Sequence, residues 1–201
     1  MERERDRLMS VRPLDGIVVC VTGVTSREEL DWIERTVEFL GGKFSEIFNE
    51  ETTCLIAKKV GSEKYRAACT ELNIPVVMTQ WLKDCSSSGI LMRYDNYEVP
   101  PFLGFTICCT QVSLEERYEL QRKLENHGAK FNYDLLEDKC THLIAIAPEG
   151  DKYTAAKTWG NVYIVNTDWV EECIRRGRYI SEQPYLVLPR VNGVRASNAS
   201  T

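Results

Sequence analysis

The stretch "GSEKYRAAC", Gly61–Cys69, returns downstream as "GDKYTAAK", Gly150–Lys157, and each copy is followed by a tryptophan and, four residues later, a cysteine. Working outward from that pair, Trp81 in "TQWLKDC" stands 88 residues before Trp169 in "TDWVEEC", and Cys85 the same distance before Cys173. Lys64-Tyr65 and Lys152-Tyr153 keep the spacing. So do Thr53 in "TTCLIA" and Thr141 in "THLIAI", and Thr22 in "CVTG" and Thr110 in "CCTQ". Only "GGKF" at Gly41 and "GAKF" at Gly128 are 87 apart, so the first copy has one extra residue before that glycine and one fewer after it. A repeat held in register over this distance marks a duplicated structural unit.

Within each copy the pattern reads strand, helix, strand, strand, helix, strand, helix. "GIVVCVT", Gly16–Thr22, is a short β-branched apolar run suited to a parallel strand buried on both faces. Leu30, Ile33, Val37 and Leu40 then recur at helical spacing, and Gly41-Gly42 supplies the left-handed residue that ends the helix. "TCLIAKK" reads as a second buried strand and "SEKYRAACTEL" as a helix capped by Ser62. "IPVVM" reads as a further core strand, and "TQWLKDC" opens the last helix with Thr79 as N-cap. Strands alternating with helices over short connections predict an α/β fold with a parallel sheet covered on both faces. The Ser, Gly and Pro content of "SSSGILMRYDNYEVPP", Ser86–Pro101, suggests an inter-domain linker, and the residues after Leu188 a disordered tail. The expected boundaries are 13–88, a linker at 89–101, 102–188, and a tail at 189–201.

Of the 201 residues, 43% are hydrophobic and 27% charged, with no apolar run long enough to cross a membrane. The opening "MERERDRLMS" has no apolar core of the secretion-signal kind, so an intracellular chain is expected. Its eight cysteines fall in apolar strand- and helix-like segments and are read as reduced and mostly buried. Without a CxxC, and with Cys140-Thr141-His142 lacking ligand spacing, no metal site is expected. A formal net charge of −5 disfavours nucleic acid as the main ligand, which calls for a basic face.

Most of the recurring residues have a structural reading. Trp81 and Trp169 fall at apolar helix positions and belong in a core, with Cys85 and Cys173 one turn later. His142 takes the place of Cys54 in the first copy, which points to packing. The lysines differ. Lys64 and Lys152 each begin a helix, where the macrodipole already concentrates positive potential and a cation is disfavoured. Thr22 and Thr110 close the first strand of each copy, at the carboxyl edge where open parallel sheets bind ligands. Hydroxyl, following N–H and helix N-terminus could converge there on an anion; the plain alternative is solvated lysines and strand-end threonines.

A sheet of about four parallel strands, a glycine pair after the first helix, "TTCLIA" and "THLIAI", and W-x-x-x-C in the last helix together resemble the BRCT domain, here in tandem, over roughly Pro13–Leu188. The spelling "CVTG…GSEKY" followed by "CCTQVSLEERYEL…GDKYTAAKTW" is most similar to the first BRCT pair of the topoisomerase II-binding checkpoint and replication scaffold family. The resemblance implies two tandem BRCT domains, each a four-stranded parallel sheet flanked by helices, and phosphate ligands at the positions singled out above. In the second repeat these are Thr110, Gln111 through its backbone N–H, Lys152, and Arg117, seven residues after the threonine. In the first they are Thr22, Gly23 and Lys64. The counterpart of Arg117 there falls at Glu29 or Leu30, which leaves Arg27 to substitute from another angle, with Lys58, Lys59 and Arg66 adding to the field.

The resemblance further implies a nuclear, non-enzymatic adaptor without cofactor. It would read phosphoserine or phosphothreonine segments of partner proteins in the DNA-damage checkpoint and in replication initiation, and two such segments on one tail. The alternatives are a binder of DNA ends or 5′ phosphates, a protein-packing scaffold, and an enzyme using Cys108 or Cys109. The last lacks a basic loop after the cysteine and a placed general acid.

Overall fold

The computed structural model describes residues 12–189, and the chain divides into two compact units. Among the described residues, one holds 12–104 together with Arg176–Tyr179, and the other holds Phe105–Arg175 and 180–189. The residues expected to form a disordered tail lie outside the described ones beyond Pro189.

In the first repeat β1 (Val18–Thr22), β2 (Lys43–Phe44), β3 (Cys54–Ala57) and β4 (Val76–Val77) form a parallel sheet in the order β2-β1-β3-β4. Helices α1 (Arg27–Phe39), α2 (Glu63–Thr70) and α3 (Gln80–Ser88) connect and cover it. The second repeat matches, with β5 (Thr106–Cys109), β6 (Lys130–Phe131), β7 (His142–Ile144) and β8 (Tyr163–Val165) in the order β6-β5-β7-β8. Its helices are α4 (Leu114–Asn126), α5 (Asp151–Trp159) and α6 (Thr167–Arg176). Every residue of β3 is buried, as the unbroken apolar run requires of a strand covered on both faces. Seven cysteines are buried, and all eight are free thiols. Among the described residues no group of side chains could hold a metal ion, and no helix is long and apolar enough to cross a membrane.

The helix starts fix the register left open above. Ser26 caps α1, accepting from Glu29 N, and Ser113 caps α4, accepting from Glu116 N. These caps are 87 residues apart, so the extra residue of the first repeat lies between Thr22 and Ser26. Both caps read S-x-x-E, but only the second closes a full capping box, with Glu116 accepting from Ser113 N at 2.8 Å. Glu29 turns instead to Lys58 Nζ, at 2.7 and 2.9 Å.

Two expectations change in detail. Thr79 precedes α3 as expected, but its backbone is already helical and it makes no side-chain cap; its Oγ1 is buried without a hydrogen-bond partner. The stretch read as a linker, 89–101, folds onto the first unit. Met92 O accepts from Trp81 Nε1, Tyr97 O accepts from Met78 N, and Tyr97 and Val99 are buried. The second repeat repeats this closing segment, with Ile180 O accepting from Trp169 Nε1 and Tyr185 O from Asn166 N. Buried aromatic and β-branched side chains hold it down where Ser, Gly and Pro alone suggested a tether.

Trp81 and Trp169 are each 0% exposed, in the cores where their apolar positions put them. His142 is 1% exposed. Its ring stacks on Trp169 at 4.7 Å and 11°, Nδ1 meets Thr141 Oγ1 at 2.8 Å, and Nε2 meets Glu182 Oε1 at 3.2 Å. Burial pushes the imidazole below the usual histidine range, against the weaker opposing pull of Glu182. Because the folded value is depressed, the stability it represents is complete above about pH 6.5, the unfolded value, and is lost as pH falls toward the folded one. The melting temperature should therefore drop on acidification below about pH 6.5, and His142→Cys, which installs the residue of the first repeat, should flatten that limb. Parallel pH profiles for variant and wild type would refute this.

Candidate functional site

At the carboxyl end of each first strand the chain turns through a left-handed residue, Gly23 at φ 75° and Gln111 at φ 63°. Glycine takes this conformation freely, and a Cβ at Gly23 would lie 2.7 Å from Lys59 Cγ, so only glycine fits. Gln111 is a strained choice that its side chain offsets. Its Nε2 donates to Glu149 O at 2.7 Å, while Oε1 accepts from Ala147 N at 2.9 Å and Ile146 N at 3.2 Å. Gln111 thus ties its own turn to the loop leading into α5. The backbone N–H groups of Gly23 and Gln111 have no partner among the described residues.

The threonines part company. Thr22 is buried and its hydroxyl pairs with Ser62 Oγ, the N-cap of α2, at 2.8 Å. The second repeat has Gly150 in place of Ser62, and Thr110 Oγ1 makes no hydrogen bond among the described residues. A hydroxyl and an N–H stand unused side by side on consecutive residues at the N-terminal end of α5.

The recurring lysines occupy the same place twice. Lys64 Nζ donates to Glu46 O at 2.8 Å and Val21 O at 3.2 Å, with Cys20 Sγ at 3.4 Å. Lys152 Nζ donates to Tyr133 O at 2.6 Å and Cys109 O at 3.4 Å, with Cys108 Sγ at 3.3 Å. Each ammonium therefore pins the end of the first strand to the segment after the second, beside the threonine. Three N–H donors meet three acceptors. Carbonyl oxygens leave the positive charge uncompensated by any carboxylate, which keeps it available to an anion arriving from solvent.

Arg117 stands at the fourth position of α4. Its Nε is buried without a hydrogen-bond partner, and its guanidinium bears on Cys109, next to Thr110. Burial pushes the Cys109 thiol up; Arg117 and Lys152 pull it back less strongly. Helix starts 87 apart make Leu30 the counterpart, and Leu30 packs against the first core. Arg27, at the first position of α1, is 75% exposed at its side chain and pairs with Asp31 at 3.0 Å. The structure thus gathers Thr110, Gln111, Arg117 and Lys152 at the end of β5, and Thr22, Gly23 and Lys64 at the end of β1. Arg27 is turned away to its own helix. Sequence reasoning passed over the Thr22–Ser62 pair, although the exchange of Ser62 for Gly150 next to the repeated lysine was its visible trace.

The BRCA1 C Terminus (BRCT) domain family matches residues 9–86, and the twin BRCT domain family matches residues 105–169. The S-M checkpoint control protein rad4 of Schizosaccharomyces pombe is 28% identical over 182 residues, 87% of this chain and 28% of that protein. PAX-interacting protein 1 of Mus musculus is 30% identical over 148 residues, 72% of this chain and 14% of that protein. The chain thus spans less than a third of the length of these curated relatives. Among solved structures, Rad4 BRCT1,2 in complex with a Crb2 phosphopeptide superposes with a TM-score of 0.70 at 26% identity, covering 87% of this chain and 99% of that one. The same pair in complex with a Mdb1 phosphopeptide gives a TM-score of 0.71 at 26% identity, covering 86% and 98%.

Proposed function

The chain belongs to the BRCT family as a tandem pair, a protein-interaction module, and on that premise we propose that it binds phosphoserine or phosphothreonine segments of partner proteins. The observation that carries this is the unpartnered N–H of Gly23 and of Gln111, each beside a threonine and a carbonyl-held lysine. A phosphate brings about −1.5 to −2 charges and several strong acceptors, so these donors engage it only after a kinase has acted. Unmodified serine offers no comparable acceptor. Two such sites on one chain can hold two phosphates of one tail, and the second binding event then gains from effective concentration.

Phosphorylated tails are therefore the partners. The relative named as a checkpoint control protein supports a nuclear role in the DNA-damage checkpoint and in replication initiation. We read the module as non-enzymatic and without cofactor. Cys108 and Cys109, the thiols nearest the site, are buried and pushed up in pKa, the opposite of an activated nucleophile. The decisive experiment is an array of phosphorylated and unphosphorylated peptides probed with wild type and with variants of each repeat. Binding that ignores phosphorylation would refute the reading; binding to 5′-phosphorylated DNA ends in its place would support the DNA alternative.

The two sites should also differ in strength. Arg117→Ala removes a bidentate donor from the second site and is expected to cost about 1.5–3 kcal/mol of phosphopeptide affinity there. Arg27→Ala is expected to change first-site affinity by less than about 1 kcal/mol, since its exposed guanidinium already pairs with Asp31. Titration calorimetry with singly phosphorylated peptides checks both: equal losses would refute the inequality, and no loss for Arg117→Ala would remove Arg117 from the site.

A further inference from the structure

Next to the second site lies a cavity of about 290 Å³ between α4 as far as Lys123, Ile146 two residues past β7, and the first five residues of α6. Its apolar lining is Val112, Leu120 and Ile146. Ile146 is 59% exposed, its backbone N–H donating to the side-chain Oε1 of Gln111, and Val112 follows Gln111 directly. The cavity therefore continues from the turn that presents the unpartnered N–H. Its rim is acidic. Glu116 is committed to its capping box and Glu171 to Lys123 at 2.7 Å, while Glu119 makes no hydrogen bond or ion pair among the described residues. Three carboxylates face one ammonium.

An apolar floor under an anionic rim fits one kind of side chain, an aliphatic stem that ends in a cation. We propose that this cavity receives a lysine or arginine flanking the phosphoresidue at the second repeat, with its stem along Ile146 and Leu120 and its charge beside Glu119. The inference rests on the phosphate reading of the second site and adds its sequence preference. The first repeat has the opposite chemistry at the matching positions. Lys58 replaces Ile146, Trp32 replaces Glu119, and Lys83 replaces Glu171. There Lys58 is engaged by Glu29, and the surplus is positive. A doubly phosphorylated tail with one basic and one acidic flank would accordingly bind in one order along the chain, because the wrong order sets like charges together at both sites.

The test uses phosphothreonine peptides of neutral flanking sequence in which arginine, alanine or glutamate is placed at each flanking position in turn. Titration calorimetry measures affinity, and the backbone amide resonances of Gln111 and Gly23 report which repeat is occupied. At one flanking position arginine should bind the second repeat about fivefold more tightly than alanine, the upper range for an exposed ion pair, and glutamate more weakly than alanine. Glu119→Gln should erase that preference and Glu119→Lys invert it, while neither alters binding at the first repeat. Both substitutions lie on an exposed helix face, so the fold is retained. If the Gln111 amide responds to phosphopeptide yet the three flanks bind alike at every position, or the Glu119 variants leave a basic preference untouched, the cavity assignment is overturned and phosphate recognition stands. If no phosphopeptide moves the Gln111 amide, phosphate recognition at this repeat fails and the assignment falls with it.

Discussion

Trp169→Ala should destabilise the second unit by about 3–5 kcal/mol, the range for truncating a large buried aromatic. The indole is 0% exposed, lies face to face with His142 at 4.7 Å, and donates Nε1–H to Ile180 O at 3.1 Å. Alanine removes the packed ring, leaves the Ile180 carbonyl without its donor, and strips one face from a buried imidazole. Trp81→Ala repeats the first two losses in the first unit, where Nε1 donates to Met92 O at 3.0 Å, and belongs at the lower end of that range. Since single domains are stable by only about 5–15 kcal/mol, either change consumes a large fraction of the total. Urea denaturation followed by far-UV circular dichroism measures it. Midpoints unmoved in both variants would mean that the rings are not core groups, and the 88-residue register built on them would have to be abandoned.

That register is where the sequence was most legible. Strands such as "VVCVT" and helices such as Arg27–Phe39 betray themselves through burial, because a run covered on both faces must be apolar throughout and a half-covered helix must repeat near 3.6. The closing segments were misjudged for a different reason. Gly89 and the Ser and Pro residues around it carry the composition of a tether, yet Tyr97 and Tyr185, 88 residues apart, accept equivalent backbone bonds from Met78 and Asn166. Composition spoke of flexibility where the repeat itself spoke of order. The candidate sites divide along the same line. Residue types at the strand ends were readable, but partners were not. Nothing local says that Glu29 abandons its capping box for Lys58, or that Thr22 spends its hydroxyl on Ser62, because those choices are made across the sheet. Nor does spacing alone decide whether Glu29 or Leu30 faces Arg117 in register; the caps at Ser26 and Ser113 decide it.

The lysines carry the expected effect on binding that reaches both sites, and the reason for their recurrence is twofold. Substituting both Lys64 and Lys152 by methionine should lower phosphopeptide affinity at each site by about 1.5–3 kcal/mol, roughly ten- to hundredfold, the worth of a charge-assisted bond made when the ammonium exchanges one of its three acceptors for a phosphate oxygen. Methionine keeps the stem and deletes the ammonium, whereas glutamate would also set a carboxylate against Glu46 O or Tyr133 O and confuse repulsion with loss of contact. The deletion has a structural price as well. Val21 O and Glu46 O in the first repeat, and Cys109 O and Tyr133 O in the second, lose a donor. The Glu46 and Tyr133 carbonyls bond Nζ at exposed positions, where water replaces part of what is lost, while Val21 and Cys109 are buried, so each change should cost about 1 kcal/mol of stability. Affinity must therefore be measured where urea titration shows each variant fully folded. Under that condition the two roles separate: a chain that is less stable but binds phosphopeptide unchanged would show that Lys64 and Lys152 recur only to pin strand ends. A chain that is folded and no longer binds would show that the ammonium serves the phosphate and not the strand ends alone. The carbonyls orient the ammonium without neutralising it, so its side-chain entropy is already spent before the ligand arrives. A repeated lysine at a helix start, costly by the macrodipole, is then accounted for by the anion it is held ready to meet.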